Sequence, residues 1–336
     1  MKINYVESLS LNAQGIDEKI YDHYYQRKLN PPKKPAKVGP VVDGVDVGLI
    51  RYVNEHPTWP LMDITTSEIE EKDFDYGNYW IRYYRPVTVK EKGPAVFFIH
   101  GGGFNMNTVT IYNGACRRLA ELINGVVFSV SYTLSPEGRF PLALDQCYLS
   151  IERMMAKADE LFIDKDKVAV MGDSAGGNLA AALCIKDKEN KYIKMQILYY
   201  PLLDQTNVPV EEFRWDYYGD DIPELAKDMI NQLYLGTEDC TKLYVKEGED
   251  LTNPLISPAL EKDYSIFPRT LALVAEYDFL TQQTEKYCRK LEEAGVRVDY
   301  YLFKGAFHGF LERIGFFDQS DTSLKIAADI IKDEFR

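Results

Sequence analysis

The sequence predicts an α/β protein, a mostly parallel sheet covered by helices on both faces. Two observations lead there. From about Asn78 onward, short apolar segments rich in β-branched and aromatic residues alternate with amphipathic stretches of helical period, the pattern expected when each strand is buried on both sides and each crossover is a helix. One of those apolar segments, ending at Met171, runs directly into a glycine-rich turn that opens a helix. At 336 residues the chain has room for one large domain with an elaboration, or for two modest domains.

In chain order, the first 75 residues stand apart. They carry Tyr21, Tyr24, Tyr25 and Tyr52, a proline-lysine stretch at 31–37 and a Val/Asp/Gly segment at 41–48, without strand periodicity. Short helices packed on something else are expected here, because a segment this broken cannot bury a core of its own. Strands are expected at 79–84, 95–99, 126–131, 168–171, 195–199, 270–275 and 297–303. Helices are expected near 111–123, 144–155, 178–185, 281–294 and 324–335. The last of these places Leu324, Ala327, Ala328 and Ile331 on one face, and Gly295 is the stop residue for the helix before it. The connection from Leu203 to Phe267 is too long for a simple link and should hold structure of its own. In it, Asp221 is expected to cap a helix whose first turn contains Pro223 and which buries Leu225, Met229 and Leu233.

Composition narrows the function. Hydrophobic residues at 46% and charged residues at 27% are ordinary globular usage, which excludes disordered, collagen-like and disulfide-scaffold classes. The formal charge of −13 opposes phosphate backbones and anionic membranes, and the one dense basic stretch, Lys33, Lys34 and Lys37, reads as a solvated loop. Five scattered cysteines (Cys116, Cys147, Cys184, Cys240, Cys288) without a Cys-x-x-Cys pair indicate reduced thiols. With no signal-like apolar run at the start and no stretch of about 18 apolar residues, a soluble, cytoplasmic protein is expected.

The chemistry concentrates in two turns. Gly172-Asp173-Ser174-Ala175-Gly176 fits G-x-S-x-G between a strand and a helix. A strand that turns sharply into a helix exposes its corner residue, flanking glycines let neighbouring backbone pass, and the helix N-terminus offers N–H groups to a developing oxyanion. Upstream, an apolar strand runs into His100-Gly101-Gly102-Gly103. Three glycines let successive N–H groups converge on one point, as an oxyanion requires. Neither phosphate-binding glycine motif is present.

Together with Tyr132-Thr133-Leu134-Ser135-Pro136-Glu137 and Phe140-Pro141-Leu142-Ala143-Leu144-Asp145, these turns give four blocks in one order between about Asn78 and His308. In this the chain resembles the hormone-sensitive lipase-like esterases of the α/β-hydrolase fold. It departs from them at Thr133-Leu134-Ser135, where the family more often has Arg-Leu-Ala, and at Gln282 and Gln283, where the family usually has an acidic pair. The resemblance implies an α/β-hydrolase whose helical cap is assembled from residues 1–75 and from the insert 204–266, with residues 76–336 otherwise forming the catalytic domain. Tyr24, Tyr25, Phe213, Trp215, Tyr217 and Tyr218 are candidates either to wall a substrate pocket or to form the cap's own core.

A serine nucleophile needs a base, and the base needs a carboxylate. Of four histidines, His23 and His56 lie in the irregular N-terminal region, and the resemblance makes His100 a loop anchor. His308 remains, flanked by glycine and aromatic residues just after the last central strand. Asp278 ends the strand before it, with Glu276 as rival on the same side. The family's Asp-x-Leu pattern, matched by Asp278-Phe279-Leu280, and the chain order Ser, Asp, His favour Asp278. The expected machinery is therefore Ser174 as nucleophile, His308 as base, Asp278 as its orienting acid, and the N–H groups of Gly102, Gly103 and Ala175 as oxyanion hole. No metal or organic cofactor is expected. The expected partner is a small ester with a short acyl chain, acetyl esters and acetylated sugars included; nucleic acid and membrane are not expected, and an open edge strand would allow a homo-oligomer. A peptidase of the same fold and a non-catalytic small-molecule receptor are the alternatives.

Overall fold

A computed structural model describes residues 1–30, 39–206, 214–218 and 221–336. Lys33, Lys34, Lys37 and Phe213, singled out above, lie outside the described residues. Among the described residues the core is a nine-stranded sheet in the order β1-β11-β10-β9-β8-β6-β7-β5-β4. Its strands are β1 (Ile3–Val6), β4 (Ile69–Asp75), β5 (Trp80–Pro86), β6 (Gly93–Ile99), β7 (Val126–Ser131), β8 (Ile163–Asp173), β9 (Met195–Tyr199), β10 (Arg269–Tyr277) and β11 (Val298–Phe307). From β1 across to β7 every neighbouring pair is parallel, while β5 pairs antiparallel with both β7 and β4. A separate two-stranded ribbon joins β2 (Val41–Val42) to β3 (Val45–Asp46).

The central strands are buried on both faces: Ala95 to Ile99 of β6 and Val168 to Met171 of β8 are all 1% exposed or less. Phe97 stacks on Phe128 of β7 at 4.8 Å between ring centroids. Burial on this scale, worth about 1.5–3 kcal/mol for each large apolar side chain, is what the helical cover provides. That cover is α3 (Asn113–Ile123), α4 (Leu142–Met155), α5 (Ala175–Lys186), α7 (Leu280–Glu293) and α8 (Asp318–Glu334). α3 packs on α8 and α4 packs on α5. They lie on opposite faces, because right-handed crossovers leaving β6 toward β7, and β7 back past β6 to β8, must run on opposite sides. That reversal of direction makes a crevice beyond the carboxyl ends of β6 and β8. Both glycine-rich turns empty into it.

The expected strands and helices are present, with shifted ends. α7 stops as expected, with Ala294 as its C-cap and Gly295 at φ +85°. The face of Leu324, Ala327, Ala328 and Ile331 is fully buried. Two strands of the nine-stranded sheet were illegible. β1 is four residues long and half-buried, and β4 carries Glu70, Glu71, Lys72, Asp73 and Asp75 around only two buried residues, Ile69 and Phe74. Both are edge strands, where exposure and charge erase the alternation and also discourage pairing with other chains. Residues 1–75 thus contribute both edges of the sheet as well as the helices α1 (Glu18–Leu29) and α2 (Val47–Glu55). Asp17 caps α1, accepting from the N–H groups of Lys19 and Ile20.

Among its described residues the insert holds one long helix, α6 (Glu224–Tyr244), and short turns. Asp221 does not cap it: the N-cap position is Pro223, with extended backbone, and Asp221 is exposed. A proline there fixes the entry without a side-chain acceptor. Leu225 is buried as expected, whereas Met229 and Leu233 are half-buried and face a cavity.

Candidate active site

The turn at Ser174 is built by close approach. β8 ends at Asp173, α5 begins at Ala175, and Ser174 between them is held at φ 54°, ψ −119°. A non-glycine residue keeps such a conformation only where its surroundings over-determine it. Here the Ser174 N–H donates to Tyr199 O at 2.9 Å, and its carbonyl accepts from Asn178 N and Leu202 N at 3.1 Å each. Gly176 must lack a side chain, since a Cβ there would collide with the carbonyl of Ile99 at the end of β6. Asn178, buried one turn into α5, donates through Nδ2 to Leu202 O and Ile256 O at 2.8 Å each and so ties the helix to the segment that follows β9.

His308 follows β11 directly and packs its ring against Tyr200 at 4.6 Å. Its Nε2 lies 3.0 Å from Ser174 Oγ and its Nδ1 lies 2.6 Å from Asp278 Oδ2. With Nδ1–H donating to the carboxylate, Nε2 is left to accept the serine proton. Asp278 is fully buried and also accepts from Leu280 N at 2.9 Å through Oδ1. Glu276 is elsewhere. The register of β10 against β11 shifts between Ala275 and Tyr277, a bulge that takes Glu276 out of the expected alternation. Its carboxylate pairs with Lys304 and accepts from Gly305 N at 2.7 Å.

The other turn wraps the opposite side of Ser174. Gly102 and Gly103 have φ +107° and +55°, and Phe104 after them has φ +64° with its ring stacked on Tyr244 at 3.7 Å. Gly102 and Gly103 line the same cavity as Ser174, and Ala175 is the first residue of α5, where N–H groups lack intrahelical partners. His100 is buried, its Nδ1 near Gly101 O at 2.8 Å and its ring stacked on Tyr132 at 4.4 Å. Burial pushes its pKa down to about 4, which keeps the ring neutral.

Sequence reasoning missed the supports of this loop. Asp173, beside Ser174 and buried, accepts from Gly101 N at 2.8 Å and from Tyr112 Oη–H at 2.9 Å. Burial and the nearby charge of Glu312 push its pKa up to about 7. Arg51 of α2 donates from Nε to Asn105 O and from Nη2 to Ser135 O, both at 2.8 Å, and forks onto Glu137. Cys240 of α6 stands against Gly103, where a Cβ would strike its Sγ.

Ser174 and His308 open into a cavity of about 550 Å³. Its exposed surface is mainly apolar, with Leu49, Ile50 and Val53 from α2, Met229 and Leu233 from α6, and Tyr24 from α1; Arg27, Arg313, Glu312 and Asp239 are among its polar points. Of the described aromatic candidates only Tyr24 lines it. Tyr25 stacks on Tyr21 and is exposed, and Trp215 and Tyr217 are 39% exposed. A depression of about 650 Å³ at the amino ends of β9 and β10, lined by Lys191, Lys194, Glu261 and Asp263, holds none of these groups. Among the described residues, no cluster of three or more His, Cys, Asp and Glu side chains is disposed to hold a metal ion. No described helix is long and apolar enough to cross a membrane.

A family model described as the alpha/beta hydrolase fold matches residues 96–312, from β6 past His308. The chain belongs to that family. Its similarity to known α/β-hydrolases follows the branch expected from the motifs. An arylesterase of Saccharolobus solfataricus is 32% identical over 258 residues, 76% of this chain and 79% of that protein. An ethyl acetate hydrolase of Pseudomonas putida is 28% identical over 259 residues, 75% of this chain and 77% of that protein. A solved structure of a thermophilic carboxylesterase from a metagenomic library superposes with a TM-score of 0.70 at 32% identity, covering 85% of this α/β-hydrolase and 94% of that chain.

Proposed function

We propose that this α/β-hydrolase is a serine carboxylesterase that cleaves small, short-chain acyl esters through an acyl-enzyme on Ser174. The observation that carries the reading is one unbroken line of hydrogen bonds, Asp278 to His308 at 2.6 Å and His308 to Ser174 at 3.0 Å, ending in a cavity. The relatives named arylesterase and ethyl acetate hydrolase support ester hydrolysis as the class.

In the proposed reaction the Ser174 Oγ–H bond breaks as its proton passes to His308 Nε2, and Oγ forms a bond to the ester carbonyl carbon. The carbonyl oxygen becomes an oxyanion that accepts from the N–H groups of Gly102, Gly103 and Ala175, in a site where fixed donors need no reorganisation. His308 then protonates the departing alcohol. Water, deprotonated by the same imidazole, releases the carboxylic acid and restores Ser174. Asp278 holds the imidazole in its reactive tautomer and stabilises the imidazolium.

The aliphatic side chains contributed by α2 and α6, with Tyr24 of α1, suit an ester with apolar acyl or alcohol parts. Acetyl and other short acyl groups are the proposed range, with acetylated sugars as the polar limit for the alcohol. The test is a panel of p-nitrophenyl esters graded by acyl length, run beside a peptide anilide and an acetylated sugar. Hydrolysis greatest at short acyl length, with labelling of Ser174 by a fluorophosphonate, is expected. Ser174→Ala should lose at least about 10⁴-fold in kcat; a variant that kept the wild-type rate would overturn the reading, and preference for the anilide would replace esterase by peptidase.

A further inference from the structure

We infer that residues 214–218 of the insert are part of the apparatus that aims the proposed catalytic acid, with Tyr218 and Gln282 as positioning residues for Asp278. The inference rests on the reading of Ser174, His308 and Asp278 given above.

Asp278 lies just beyond the end of β10 and is fully buried. Oδ2 faces His308, Oδ1 accepts from Leu280 N at 2.9 Å, and the main-chain carbonyl accepts from Thr281 N at 3.1 Å. The bonds from Leu280 and Thr281 arise within the turn that Asp278 itself begins, so they shape the turn but do not fix where it sits. A further bond comes from 60 positions away in sequence: the Tyr218 hydroxyl donates to Asp278 O at 2.7 Å. It ties the turn to a different part of the molecule.

Tyr218 is in turn held to the start of α7. The Gln282 side chain accepts from Arg214 N at 3.0 Å through Oε1 and donates to Arg214 O at 3.0 Å through Nε2. One amide thus serves both polar backbone groups of Arg214, which takes a donor and an acceptor on the same side chain. A carboxylate at this position would serve the N–H and repel the carbonyl. Tyr217 adds a bond from its hydroxyl to Glu285 Oε2 at 2.9 Å, and its ring meets Tyr218 edge-on at 5.2 Å. Gln282 also lies within hydrogen-bonding reach of the Tyr218 hydroxyl, whose pKa burial pushes upward. The segment, the first turn of α7 and the Asp278 turn therefore form one hydrogen-bonded block. Neither Trp215, Tyr217 nor Tyr218 is among the residues that wall the cavity, so these side chains act on the acid from outside the cavity.

The experiment uses the full chain with Tyr218→Phe and Gln282→Glu, assayed on p-nitrophenyl acetate. Loss of one hydroxyl–carbonyl bond corresponds to about 2- to 13-fold. We expect kcat to fall by that factor in each variant while KM stays within about twofold, since the acid is misaimed and the cavity wall is intact. A second readout needs no turnover. In a Ser174→Ala background, the downfield Nδ1 proton resonance of His308, a signature of its bond to Asp278, should broaden or move upfield when Tyr218→Phe is added. An ester-inactive wild type would remove the functional reading yet leave this resonance to test the positioning. Unchanged kcat with an unmoved resonance, a rise in KM alone, or a lower Tm with full activity of the folded protein would overturn the inference. Should Tyr218→Phe not fold, Gln282→Glu decides by the same criteria.

Discussion

The carboxyl edge of the sheet and the helical segments above it contribute to one site by different means. At the edge, geometry is fixed by backbone: a serine at φ 54° between β8 and α5, glycines at φ +107° and +55° after β6, a bulge in β10, and His308 at the end of β11. Above it, geometry is fixed by long polar side chains reaching down, Arg51 from α2 to the carbonyls of Asn105 and Ser135, and Tyr218 from the insert to the carbonyl of Asp278. Strained or crowded backbone admits few residue types and leaves a motif. A side chain that reaches a carbonyl can start from many positions, and leaves none. The edge should accordingly be the part where single substitutions abolish turnover, and the segments above it the part where they only reduce it.

The largest effects that bear on this contrast belong to the two carboxylates of β10. Asp278→Asn leaves the shape of the turn but presents the wrong partner to His308 Nδ1, and kcat should drop by about 10⁴-fold. Glu276→Gln, two residues away, keeps an acceptor for Gly305 N and loses only the pairing with Lys304; its kcat should stay within a few-fold. Steady-state kinetics on one ester separates them, and a large loss at Glu276 would reverse the assignment of the acid. Next comes Gly103→Ala. The residue sits at φ +55°, and its new Cβ would meet Cys240 Sγ, so the loop must shift. Loss of one oxyanion donor costs about 10²–10³-fold in kcat elsewhere, and a loss of about 10²-fold is expected here. Adding Cys240→Ala removes the sulfur but leaves a Cβ at 3.2 Å, so partial recovery is expected. No recovery would mean that the backbone conformation, and not the neighbour on α6, excludes the side chain.

Arg51→Met tests the other side of the contrast. It keeps the length of the side chain but leaves the carbonyls of Asn105 and Ser135 without that donor, at about 1–3 kcal/mol for each acceptor left buried and unpaired. A lower Tm and a kcat reduced by roughly tenfold or less are expected. A loss as large as that of Asp278→Asn would erase the distinction between backbone-made and side-chain-made parts of the site.

Legibility in the sequence follows the same line. The seven central strands and five covering helices could be read because burial on two faces imposes continuous apolar runs and helical stripes, as in Ala95 to Ile99 and in Leu324, Ala327, Ala328 and Ile331. Ser174, His308, Asp278 and the glycine turn could be read from residue type, chain order and family resemblance. β1 and β4 could not, because an edge strand faces solvent and β4 fills its exposed positions with charge. The wall of the cavity could not be read either. The aromatic side chains at 215–218 could equally wall a pocket or pack within a cap; in the fold the Tyr218 hydroxyl donates to the Asp278 carbonyl, while Leu49, Ile50, Met229 and Leu233 line the cavity. Nothing in the spacing of a tyrosine distinguishes a ring that lines a cavity from a hydroxyl that bonds a carbonyl; only the fold brings residue 218 beside residue 278.

The smallest expected effect concerns Asp173, which belongs to the edge by position and to the side-chain supports by what it does. Its carboxyl is buried against Gly101 N and the Tyr112 hydroxyl, and burial with the Glu312 charge pushes its pKa up to about 7 from 3.8. The folded protein therefore holds this proton more tightly than the unfolded chain does. The resulting contribution to stability is complete below about pH 4 and disappears as pH rises through about 7. Asp173→Asn removes the titration and keeps an acceptor for Gly101 N; the new amide can donate to the Tyr112 oxygen, whose hydroxyl proton then turns to Glu312 Oε2 at 3.4 Å. Thermal unfolding should show the Tm of the wild type falling relative to that of the variant as pH rises from about 4 to about 8. If the wild type gained on the variant as pH rose, the carboxylate would be favoured in the folded state. The loop carrying Gly102 and Gly103 would then be anchored by a buried charge and not by a neutral acid.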